Sequence, residues 1–246
     1  MKRISRYGWL PDFPDQRDFL YTAVRPALRL PRAVDLRANC SAVENQGALG
    51  SCTANALAGN LEFLDEKTNP GWADVSRLFI YYNERLLERT VSSDSGAMLR
   101  DGIKTLKKYG VCSEKIWLYN VSRFTVKPSP LCYAEARKHR IESYYRLNSH
   151  AERLVCLADG YPFVFGFTVY EGFESPQAAK TGVISMPKKG ERVVGGHAVM
   201  AVGYDEKTKT FLVRNSWGAE WGMKGYFSMP YAYLESLADD FWTIRK

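Results

Sequence analysis

Near residue 140 the apolar pattern of the chain changes period, and that change restricts the fold more than any other feature. Before it, apolar residues recur at three-and-four spacing. After Cys52 they fall at Ala54, Leu57, Ala58, Leu61 and Leu64, one buried face of a helix that runs to about Glu66 and stops before Asn69-Pro70-Gly71. Ser51 is placed to cap its start. A second helix is expected over Val75–Glu88, and a third from near Met98 to Tyr109, closed by Gly110. Beyond the change the pattern alternates. Ile141–Leu147, Tyr161–Val169, His197–Tyr204, Thr210–Asn215, Gly225–Met229 and Phe241–Ile244 read as strands, with one short helix at 150–159. Helices first and antiparallel strands after predict an α+β chain of two lobes with a cleft between them.

Residues 1–29 read as an extension to a body covering 30–246. Gly8-Trp9-Leu10-Pro11-Asp12-Phe13-Pro14-Asp15 sets large apolar side chains among prolines, which favours an extended path laid over a surface. From Leu30-Pro31 the text changes, and Arg32–Arg37 looks like an edge strand entering the body.

The 34 basic residues exceed the 27 acidic ones for a net charge of +7, but they are scattered and form no basic-aromatic register, so nucleic acid is not the expected ligand. No apolar run approaches the roughly 18 residues of a membrane span. Met1–Tyr21 lacks the apolar core of a secretory signal, so a cytoplasmic protein is the default expectation. A secreted or lysosome-like location would require a removed leader or unconventional export. A monomer is expected.

Five cysteines leave one over if the rest pair, and Cys52 is the natural odd one out. Cys40, Cys112, Cys132 and Cys156 then allow three pairings. No cysteine or histidine spacing matches a metal site, and no metal or cofactor is expected. Cys52 opens its helix after a glycine-rich turn, so helix N–H groups and the positive dipole end favour its thiolate, the form that attacks carbonyls. A small buried hydrophobe is the plain alternative.

A thiolate nucleophile needs a base, and the base needs a group that fixes its tautomer. The chain has three histidines. His139 stands in a charged run, and His150 precedes a helix, where a surface or capping role fits. His197 follows Gly195-Gly196 and opens a strand, a stiff position at a lobe edge. Asn215 ends the next strand, and its side-chain oxygen suits an imidazole N–H; Trp217 could cover that bond.

Three ordered segments then carry a family resemblance: Gln46–Ala54, Gly196-His197-Ala198, and Asn215-Ser216-Trp217-Gly218 followed by Trp221–Tyr226. Together they resemble the signature segments of papain-like cysteine proteases, with His197 and Asn215 following Cys52 by 145 and 163 residues. Leu30–Arg37 is similar to the start of the mature enzymes, so the resemblance spans about 30–246. It implies a helical lobe carrying Cys52 and a β lobe carrying His197 and Asn215. It implies a resting Cys52 thiolate–His197 imidazolium pair with a thiol pKa of roughly 3–4. The Gln46 amide and the Cys52 N–H would form an oxyanion hole. Substrate would pair its backbone with Gly96, and Leu99, Gly166 and Ala198 would line an apolar pocket, with Trp217 also at the site. The implied activity is that of an endopeptidase on polypeptides, open to protein inhibitors.

The departures matter equally. Leu49 stands where the family commonly has a cysteine and Asp94 near its partner position, so that crosslink is missing. Thr53 replaces the usual tryptophan after the nucleophile, which should reshape the cleft floor. The extension is shorter than the usual inhibitory propeptide; it is still expected to cover the cleft, with Trp9 or Phe13 in a substrate pocket. The competing readings are a silent papain-fold scaffold and a cysteine acyl-transfer enzyme acting on non-peptide substrates.

Overall fold

The computed structural model describes residues 7–21, 30–68 and 74–246. The helix stop at 69–71 therefore lies outside the described residues. Helices α1 (Cys52–Thr68), α2 (Arg77–Glu88) and α3 (Leu99–Lys108) come first, after a short strand β1 (Ala33–Asp35). Then follow α4 (Pro130–Ala136), β2 (Ser143–Arg146), α5 (His150–Ala158), β3 (Phe163–Tyr170) and α6 (Pro176–Thr181). The chain ends in β4 (Val193–Asp205), β5 (Thr210–Arg214), β6 (Tyr226–Pro230), α7 (Tyr231–Leu237) and β7 (Ala238–Arg245). The strands form one antiparallel sheet in the order β2-β7-β3-β4-β5-β6, with β1 added to β4.

Alternation along the strands divides the core in two. Val164 of β3 and Ala198, Met200 and Val202 of β4 face α1 and its neighbours. Phe163, Phe165, Phe167, Val199 and Ala201 face the opposite way, into a cluster with Phe211, Phe227 and Phe241. The α+β reading of the sequence is what the structure has.

Several elements differ in detail. The expected single buried face of α1 is instead complete burial from Cys52 to Asp65, because the helix lies between α2, α3 and the sheet. Small residues such as Ala56 and Gly59 permit that close packing. Its polar residues find partners: Glu62 accepts from Ser41 Oγ at 2.5 Å and from the Val75 N–H at 3.1 Å. Ser76, expected inside α2, is its N-cap and accepts from the Phe79 N–H at 3.1 Å. Strand β4 begins at Val193, ahead of His197, because Gly195 and Gly196 continue the pairing with β3. The sequence pattern does not announce α4, α6 or α7, although α4 and α6 each open on a Ser-Pro pair, a usable start signal.

Among the described residues no helix is long and apolar enough to cross a membrane, and no group of three His, Cys, Asp or Glu could hold a metal ion. All five cysteines are free thiols.

Candidate active site

The β lobe fixes an imidazole rigidly. His197 sits inside β4 opposite Phe167 of β3 and is fully buried. Asn215 follows the last residue of β5, held by its N–H on the Gly225 carbonyl at 2.9 Å. His197 Nε2 lies 2.8 Å from Asn215 Oδ1. That same oxygen accepts the Ser216 N–H at 2.9 Å, which identifies it as the acceptor end of the amide. Nε2 is therefore the donor, and the neutral ring keeps its lone pair on Nδ1. Nδ1 is buried and has no hydrogen-bond partner. Trp217 lies over the ring at a centroid distance of 5.1 Å, with Phe167 at 5.7 Å, and together they keep water from the Nε2 bond.

The helical lobe supplies the sulfur. Cys52 is the first residue of α1, so its N–H is one of the four that a helix leaves without an intrahelical acceptor. The backbone N–H groups of Ala198, Gly8 and Thr53 act on the sulfur and favour the thiolate. Ala198 adjoins His197, so the two lobes meet here. Gln46 is also buried at this seam: its Nε2 donates to the Leu49 carbonyl at 2.8 Å, and its Oε1 accepts the Ser216 hydroxyl at 2.5 Å. Ser216, which sequence reasoning missed, thus serves both walls. Ser51 stands at the helix start, but its hydroxyl pairs with the Tyr119 hydroxyl at 2.6 Å. Tyr119 in turn donates to the Gln46 carbonyl at 3.0 Å. Thr53 turns away from the cleft, donating to Glu84 of α2 at 2.9 Å.

The other two histidines stand elsewhere. His139 follows α4, its N–H on the Ala136 carbonyl at 2.9 Å. His150 packs on Tyr231 at 4.6 Å, with Nδ1 3.4 Å from Glu235.

The cleft is filled by the chain itself. The Ala97 N–H donates to the Gly8 carbonyl at 2.7 Å, the Leu10 N–H to the Ala97 carbonyl at 3.0 Å, and the Trp9 N–H to the Gly196 carbonyl at 3.2 Å. Residues 8–10 therefore bridge both walls as an added strand. Ala97, and not the expected Gly96, makes these backbone pairs; the Gly96 N–H donates to Tyr81 instead, at 3.1 Å. The indole of Trp9 covers Gly166 so closely that a Cβ there would stand 1.9 Å from it, and Leu99 belongs to the same buried cluster. Trp9, not Phe13, takes the pocket; Phe13 is 73% exposed. Tyr7 sits edge-on to His197 at 5.9 Å.

Downstream, buried carboxylates strap the segment to the body. Asp12 accepts from Trp242 Nε1 at 2.8 Å and from the Arg100 N–H at 3.2 Å. Asp240 accepts from Trp9 Nε1 at 3.1 Å and from the Asp12 N–H at 2.8 Å. Asp18 pairs with Arg100 at 3.2 Å and Arg146 at 3.3 Å.

This cover reverses the expected electrostatics. Burial pushes the Cys52 thiol up to about 11, against the pull of the three N–H groups. Burial likewise pushes His197 down to about 4, against the Asn215 bond. Burial under the cover thus opposes the resting ion pair that the resemblance implied.

The sequence pattern of the papain family cysteine proteases matches residues 30–236. An uncharacterised peptidase C1-like protein of Acanthamoeba polyphaga mimivirus is 43% identical over 99% of this chain and 88% of its own. Chymopapain of Carica papaya is 29% identical, over 87% of this chain and 58% of its own. Among solved structures, xylellain, a cysteine protease from Xylella fastidiosa, is 44% identical with a TM-score of 0.90, over 98% of this chain and 96% of that one.

Proposed function

The chain belongs to the papain family of cysteine proteases, and we propose that it is an endopeptidase whose nucleophile is Cys52 and whose base is His197. The observation that carries the reading is the His197–Asn215 bond, 2.8 Å long, which leaves Nδ1 as the ring's only lone pair. With the cleft open, Nδ1 takes the Cys52 proton, and the thiolate attacks a peptide carbonyl carbon. The developing oxyanion is met by the Cys52 N–H and the Gln46 amide, each worth about 3 kcal/mol in the transition state. The Nδ1–H then protonates the leaving amine, and water attacks the thioester with His197 again as base. Asn215 keeps the ring in one tautomer throughout.

Residues 7–18 act as a latent cover. The Gly8 N–H acts on the Cys52 sulfur, while the Gly8 carbonyl is bound by Ala97 at 2.7 Å. Substrate polypeptides would replace this segment, with a bulky apolar side chain over Gly166 and against Leu99 and Ala198 where Trp9 now lies, and with Trp217 over the histidine.

The test compares the full chain with one starting at Leu30 on an unfolded protein, together with epoxide labelling mapped by mass. Cys52 labelling with cleavage, faster in the shorter chain, is expected. Labelling without cleavage would favour acyl transfer to non-peptide substrates, and neither would favour a scaffold. Equal rates in the two chains would remove the cover.

A further inference from the structure

Asp94 stands near the position where this family commonly places half of a disulfide, and it makes a crosslink of another kind. Both of its carboxylate oxygens lie 3.1 Å from the Gly50 nitrogen, two residues ahead of Cys52. Tyr81 of α2 donates its hydroxyl to Asp94 Oδ1. The same hydroxyl accepts the Gly96 N–H at 3.1 Å. One carboxylate and one phenol therefore join the turn that delivers the nucleophile to the segment that holds the cleft's occupant at Ala97.

The loop bearing Asp94 is itself held. Arg85 Nη1 donates to the carbonyls of Val91 at 3.1 Å and Ser93 at 2.9 Å, while the guanidinium lies 4.0 Å over the Tyr81 ring. Leu49, which precedes Gly50 in the nucleophile turn, is 2% exposed. A hydrogen bond to a charged acceptor is among the strong ones, and burial of the Tyr81 ring limits competition from water.

We propose that Asp94 and Tyr81 are positioning residues: a polar clamp that sets the Cys52 turn and the substrate-pairing segment at Gly96-Ala97 at a fixed separation, resting on the peptidase reading above. Neither touches the reacting atoms. The arrangement is directional. Removing the phenol oxygen frees Gly96, the substrate side, and takes one donor from Asp94, which keeps the Gly50 N–H. Removing the carboxylate frees Gly50 and also deprives the phenol of its acceptor, so both sides loosen.

The experiment uses the full chain and the variants Tyr81→Phe and Asp94→Ala, with two readouts. In hydrogen exchange, Tyr81→Phe should speed exchange of Gly96 by about tenfold and leave Gly50 near its original rate. Asp94→Ala should speed both by at least about tenfold. In hydrolysis, Tyr81→Phe should raise KM with kcat kept, and Asp94→Ala should also lower kcat, by about tenfold. Unchanged exchange at Gly50 and Gly96 in Asp94→Ala would overturn the clamp. So would a loss of kcat equal in both variants, which general loosening of the lobe predicts. Should neither the unaltered chain nor the chain starting at Leu30 cleave, the peptidase reading fails, and the exchange readout still decides the clamp.

Discussion

The two walls of the cleft are built on different principles. The His197 wall is made by the sheet: adjacent strands deliver His197 and Asn215, and the aromatic rings of Trp217 and Phe167 pack against the imidazole. The Cys52 wall is a turn ahead of a helix, and its shape comes from side chains borrowed from elsewhere. Ser216 holds Gln46, Tyr119 holds Ser51 and Gln46, and Asp94 holds Gly50. A sheet imposes geometry through its ladder, whereas a turn must be fixed contact by contact. The difference predicts that the nucleophile side is more sensitive to loss of a single supporting contact than is the packing around the base.

Cys52→Ala and His197→Ala bear on both walls at once and should lower hydrolysis by at least about a thousandfold while thermal unfolding stays cooperative. Gln46→Ala should lower kcat by about 100-fold, measured on a peptide substrate, because one oxyanion donor is gone. The cover gives the next effect. Trp9→Ala removes the side chain over Gly166, a change that costs about 3–5 kcal/mol for a buried tryptophan, so epoxide labelling of Cys52 in the full chain should speed markedly. Ser216→Ala should cost less, about tenfold in kcat, yet more than any equally small change on the aromatic packing around His197. Equal sensitivity of the two walls would erase the contrast.

Acidity sharpens it further. Burial and the neighbouring Asp240 push Asp12 up to about 7 in the closed structure, whereas a free Asp carboxyl titrates near about 3.9. The closed form therefore holds an extra proton between these values. Its stabilisation is complete below about 3.9 and is lost as pH rises through about 7. Arg100 and Arg146 also face this junction. Epoxide labelling of Cys52 in the full chain should accelerate across that window more steeply than in Asp12→Asn, which cannot ionise. Parallel profiles would detach Asp12 from the cover.

How far the sequence discloses this molecule follows the same division. The strands and the first helices are legible because their signal is local periodicity, and the His197 wall because His197 on β4 and Asn215 just after β5 come from neighbouring strands. The supports of the Cys52 wall are not. Ser216 meets Gln46 across 170 residues, Tyr119 meets Gln46 across 73, and Asp94 meets Gly50 across 44. None of these pairs leaves a pattern in its own neighbourhood. Asp94 was noticed only as a missing cysteine, although a carboxylate opposite a glycine N–H can make a bridge of its own. The burial that opposes charge on Cys52 and His197 has a related origin: the motif carries the two residues, and the cover over them comes from Gly8 and Trp9.

The central claim is that His197 generates the Cys52 thiolate once the cover is gone. The direct measurement is the rate of iodoacetamide alkylation of Cys52 at pH 5–6 in Trp9→Ala and in Trp9→Ala combined with His197→Ala. Fast alkylation that collapses by orders of magnitude when the imidazole is removed is the predicted result. Equal rates in the two proteins would contradict the account.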